Sequence, residues 1–93
     1  MTATLAPADL GSVRPQERVS LTGMILATET IRVGGSPVYR CVLATAETEI
    51  DLLFLGRATI TGLTVGTRCS VQGTVALHHG RLAVWNPRYR VWP

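Results

Sequence analysis

Five arginines, Arg57, Arg68, Arg81, Arg88 and Arg90, follow Asp51, the last acidic residue of the chain, and Trp85, Tyr89 and Trp92 accompany the last of them. Guanidinium groups without competing carboxylates, interleaved with planar rings, suit a polyanion: the cations follow phosphates and the rings take unstacked bases. Residues 1–51 hold four Arg and six acids, a net −2, and residues 52–93 hold five Arg and no acid, a net +5; together they make the +3 of the whole chain. Arg is the only cation besides the two His. Its planar fork binds phosphate in bidentate fashion, but GC-rich coding produces the same usage, so cation identity decides nothing alone.

The remaining chemistry-bearing residues are sparse. His78-His79 does not read as a metal or catalytic pair, because adjacent side chains in a tight turn point apart and no Cys, Asp or Glu follows to complete a ligand set. A solvated pair touching phosphate fits better. Cys41 and Cys69 lie in apolar alternating segments with no C-x-x-C, so buried free thiols are expected and a zinc site is not. Glu47 and Glu49 flank an exposed hairpin and lack a pocket, while G-x-S-x-G, P-loop and dinucleotide fingerprints are missing from the sequence. A binding module without cofactor or catalysis is expected. No window approaches the ~18 apolar residues of a membrane span, and with reduced cysteines the expected location is cytoplasmic.

The elements that must position these groups are β-strands. Residues 1–16 lack sustained periodicity and read as a flexible N-terminal tail, leaving residues 17–93 as one domain. From Arg18, Val19, Leu21, Gly23, Ile25 and Ala27 share one face at period two, in a strand that can run on through Val33. Gly34-Gly35-Ser36-Pro37 is a turn. Val38 to Ala44 and Glu49 to Leu55 form a hairpin around Thr45 to Thr48. Arg57 to Gly62 is compatible with a turn or two of helix. Cys69 to Leu77 is a fourth strand, and Arg81 to Trp85 a fifth, which Pro87 interrupts before Tyr89 to Trp92. Five strands with a short helical segment between the third and fourth predict an all-β OB-fold, a five-stranded Greek-key barrel, with Gly23 and Gly73 at its bends.

Val19-Ser20-Leu21-Thr22-Gly23-Met24-Ile25 resembles the opening strand of OB domains of the tRNA anticodon-binding and helicase-wedge type, and Leu52-Leu53-Phe54-Leu55-Gly56-Arg57, Ile60 to Gly66 and Val71-Gln72-Gly73-Thr74-Val75 continue it in order. The ending Trp85-Asn86-Pro87-Arg88-Tyr89 is similar to that of small stand-alone actinobacterial OB-fold proteins. Thr45 and Thr48 stand where the family's turn usually carries Asp and Gly. The resemblance implies single-stranded or structured nucleic acid, DNA or RNA, as the ligand.

An OB-fold takes its ligand across strands 2 and 3, between the 1–2 and 4–5 loops. Arg32, Arg40, Arg57, His78, His79, Arg81, Trp85 and Arg88 are therefore the candidate nucleic-acid contacts, although any single Arg also serves solubility. Trp85 has outward parity, either as a stacking platform or packed beneath a neighbouring segment; Tyr39 has inward parity, with its hydroxyl reaching the barrel mouth; Asn86 is expected to bond its local backbone. The alternative is a module for a protein partner or homo-oligomer, supported by outward Leu53 and Leu55 and a hydrophobic content of 46%.

Overall fold

Alternate side chains in each periodic segment are apolar and often β-branched, so they bury one face of an extended backbone and leave the other to solvent. The computed structural model of the chain describes residues 16–92, and their regular structure is entirely β. Six strands follow in order: β1 Arg18–Val33, β2 Ser36–Ala44, β3 Glu49–Leu55, β4 Arg68–His78, β5 Arg81–Trp85 and β6 Arg88–Val91. β1, β2 and β3 form an antiparallel meander, β3 pairs in parallel with β5, and β5 pairs antiparallel with β4. β4 then returns to β1, with Arg18 facing Thr74 and Met24 facing Arg68, and closes the sheet into a ring. The tail expected over residues 1–16 lies, except for Gln16, outside the described residues. No helix among the described residues is long and apolar enough to cross a membrane.

The ring is filled from the parities seen in sequence. Val19, Leu21, Ile25, Tyr39, Cys41, Leu43, Ile50, Leu52, Cys69, Val71, Val75 and Val84 form one buried cluster, in which both thiols are unbonded. Gly23 lies where β1 leaves β4 for β2, and a Cβ there would stand 2.1 Å from the Ala44 carbonyl oxygen. Only glycine permits that approach. The β1–β2 and β4–β5 turns are both two-residue loops with positive φ throughout, Gly34 (59°) and Gly35 (83°) in one, His79 (51°) and Gly80 (76°) in the other. That backbone follows the right-handed twist of paired strands. Thr45 closes the β2–β3 turn: its hydroxyl donates to Thr48 O (2.9 Å) and accepts from Thr48 N–H (3.2 Å).

The expected helix is a correction: residues 57–67 run as turns and irregular chain. Gly56 and Gly62 both take positive φ, and the five residues between them include β-branched Thr59, Ile60 and Thr61. Such a segment is too short and too stiff to nucleate a helix. The segment is fixed instead by Thr30 Oγ1 donating to Ala58 O (2.6 Å) and by Ile60 and Leu63, which enter the core. The buried Tyr39 hydroxyl also donates to Leu63 O (2.5 Å).

The strand count is a second correction. β6 is a separate strand, pairing with β4 from Cys69 opposite Val91 to Gln72 opposite Arg88. On β4, three steps separate Gln72 from Val75; on the facing chain, four separate Val84 from Arg88. The extra residue is a bulge at Asn86-Pro87, with Asn86 at φ 49°. Asn86 does not bond its sequence neighbours. Its N–H donates to Leu53 O (2.7 Å) and its Oδ1 accepts from Leu55 N–H (2.9 Å), carrying the β3 ladder on where β5 turns away.

Candidate nucleic-acid interface

Outward parity on β2, β3 and β5 assembles one face, and residues Glu29 to Val33 of β1 extend it. A groove of about 340 Å³ runs there, lined by Glu29, Ile31, Arg32, Val33, Arg40, Asp51, His78, His79 and Arg81. The two tight turns therefore stand at its rims, and five of the eight candidate residues, Arg32, Arg40, His78, His79 and Arg81, come together around it.

The floor is governed by Asp51, a residue counted in sequence only among the acids. Its side chain is 1% exposed. It accepts from Arg40 Nε (3.1 Å) and Nη2 (3.3 Å) and from Arg81 Nε (3.1 Å) and Nη2 (3.0 Å). Arg40 also pairs with Glu29 (2.8 Å), and Arg81 lies 3.7 Å from Glu49. The Asp51 carboxylate, and to a lesser extent Glu49, raises the Arg81 pKa and holds the side chain charged. Arg40 and Arg81 meet Glu29, Glu49 and Asp51, and with Arg32 nearby the groove region counts three charges of each sign. Arg32 itself donates from Nη1 to Gly35 O (2.6 Å), clasping its own turn.

Trp85 is half-buried, packed with Ile31 and Val33 against an outer apolar cluster of Val38, Leu53 and Ala83. Its ring meets His78 edge to face (centroids 5.5 Å), and His78 meets His79 in the same manner (4.3 Å). Leu53 is thus buried, while Leu55 is exposed. Among the described residues no cluster of His, Cys, Asp or Glu could hold a metal ion.

Arg57 and Arg88 stand apart from this groove. Arg57 is exposed in the 57–67 segment. Arg88 belongs to a second groove, of about 810 Å³, lined by Ser20, Ser70, Gln72, Arg88, Tyr89, Arg90, Val91 and Trp92 on β1, β4 and β6. None of these residues carries a carboxylate. Trp92 is 48% exposed, and its indole N–H donates to Ser70 Oγ (2.9 Å), which also shares a hydrogen bond with Thr22 (3.0 Å). The signal for this face was present in the sequence: Arg88, Arg90 and Trp92 recur at period two.

Neither family models nor curated proteins match the chain.

Proposed function

We propose that this chain is a single-stranded nucleic-acid-binding module of the OB type, acting by binding and not by catalysis. What supports the reading is the closed ring of five strands in Greek-key order, with its groove placed between the β1–β2 and β4–β5 turns, where an OB barrel takes oligonucleotides. The cations give further support. Of the five arginines beyond Asp51, Arg81 alone has a carboxylate partner among the described residues. Buried, unbonded Cys41 and Cys69 suit a reducing compartment such as the cytoplasm.

Balanced charge on the groove floor makes binding weak and tolerant of sequence, with a dissociation constant on the order of 10⁻⁴ to 10⁻⁶ M at physiological salt. Fluorescence anisotropy with labelled oligothymidylate and oligouridylate at two salt concentrations tests this. Binding at low salt that collapses as salt rises is expected; no binding at low salt refutes the reading.

A second reading, a protein-interaction module, draws on the exposed Met24, Leu26 and Val65. These surround the point where Ile25 exchanges backbone hydrogen bonds with Gly66 and Thr67. An interface there would be insensitive to salt.

A further inference from the structure

The 810 Å³ groove on the far side of β4 has what the β2–β3 groove lacks, cations without carboxylates and a fixed, half-exposed ring. We infer that the outer face of β1, β4 and β6 is a second binding surface for a single strand of nucleic acid, with Arg68, Arg88 and Arg90 following phosphates and Trp92 stacking on one base. The inference rests on the reading of the chain as a nucleic-acid binder, but it places the contacts where an OB groove does not.

The sheet geometry aligns these groups. Side chains two apart on a strand share a face, so Arg68, Ser70 and Gln72 of β4 project together, opposite in parity to buried Cys69 and Val71. Ser70 faces Arg90 and Gln72 faces Arg88 across the β4–β6 ladder. Ser70 therefore has an arginine on the neighbouring strand and the Trp92 indole on its hydroxyl. Trp92 is further held by its backbone N–H, which donates to Arg68 O (2.8 Å). The residue is thus anchored at its backbone and at its indole N–H, which lowers the ordering cost of stacking.

Charge selects the occupant. Among the described residues no carboxylate pairs with Arg68, Arg88 or Arg90, and each of the three is exposed. Glu29, Glu49 and Asp51 are engaged by Arg40 and Arg81 around the other groove, whereas no carboxylate lines this one. A duplex hides its base faces, whereas a single strand offers phosphates and π-faces together. An acidic peptide would satisfy the cations and leave the ring without a partner.

The experiment titrates the full chain with labelled oligothymidylate, following anisotropy and tryptophan emission. Replacing both Arg88→Ala and Arg90→Ala is expected to flatten the log–log salt dependence by ~1.4, two contacts at about 0.7 each for single strands. Trp92→Ala is expected to weaken binding roughly 5- to 150-fold, a loss that persists at high salt. Trp92→Phe keeps a plane and its packing, and retains most of the affinity. Emission should fall on titration of the wild type and fall much less in Trp92→Phe, where Trp85, beside the other groove, is the sole indole. Thermal melting of each variant separates lost binding from lost folding. If the wild type binds no strand, the functional reading fails and this inference with it. If the wild type binds and the arginine and Trp92 variants bind equally well, or the emission change survives undiminished in Trp92→Phe, only the second surface is overturned. Displacement of the strand by polyglutamate at equal charge would show that charge alone drives the contact, and would overturn the stacking half.

Discussion

Replacing Asp51 with Asn, which keeps the shape and removes the charge, should destabilise the fold more than any other polar substitution on its outer face. Asp51 is 1% exposed and accepts from both Arg40 and Arg81 at 3.0–3.3 Å. Removing one partner of a buried ion pair costs about 3–5 kcal/mol, because the surviving charge stays desolvated. Here the cost divides unequally. Arg40 is 21% exposed and carries most of it, whereas Arg81, at 44%, recovers water and is discounted accordingly. Glu29 at 2.8 Å still engages Arg40 after the change, which moderates the loss. Asn also presents an amide N–H₂ to guanidinium N–H groups, donor against donor.

A loss of about 2–4 kcal/mol follows from these terms. At ~4–8 °C per kcal/mol for a domain of this size, the melting temperature should fall by roughly 8–32 °C. Urea unfolding followed by circular dichroism measures the loss directly, and Arg81→Ala serves as the comparison: it leaves Asp51 paired with Arg40 and should cost less than half as much. Melting of Asp51→Asn within about 3 °C of the wild type would show that burial of this carboxylate is not coupled to folding, and would refute the reasoning.

Gly23→Ala should cost several kcal/mol or prevent folding, because its Cβ would lie 2.1 Å from the Ala44 carbonyl oxygen and neither backbone can retreat without opening the ring; soluble yield and melting temperature decide. Tyr39→Phe deletes the donor to Leu63 O and should cost about 1–2 kcal/mol, with faster amide exchange concentrated in residues 57–67. Burial, reinforced by the charge of Cys69 and opposed by a hydrogen bond from Tyr39, pushes the Cys41 thiol up from 9.0 to about 11. The folded state then holds the thiol proton more tightly than the unfolded chain does, so this contribution is fully present below pH 9.0 and is lost as pH rises through about 11. Two units correspond to about 3 kcal/mol, and Cys41→Val should flatten the stability profile over that window; an unchanged slope would contradict the assignment.

Local sequence determined a great deal of this protein. Period-two alternation placed the inward residues of the ring strands, because one buried face imposes the same parity whatever the partner strand is, and Gly34-Gly35 and His79-Gly80 marked the two hairpin turns through their tolerance of positive φ. Arg88, Arg90 and Trp92 were legible as a row on one strand. Tertiary structure alone decided which rows became neighbours. The same outward parity that put Arg40 and Arg81 on a candidate phosphate-binding face also put Asp51 there, and only the parallel β3–β5 pairing, between strands 30 residues apart, brings Asp51 and Arg81 into contact. The sixth strand and the missing helix were likewise settled at a distance, by the bulge at Asn86 and by the Tyr39 and Thr30 bonds that hold residues 57–67 against the ring. Charge counted along a chain is a sum; charge on a surface depends on which carboxylate each guanidinium meets, and that is fixed by strand pairing.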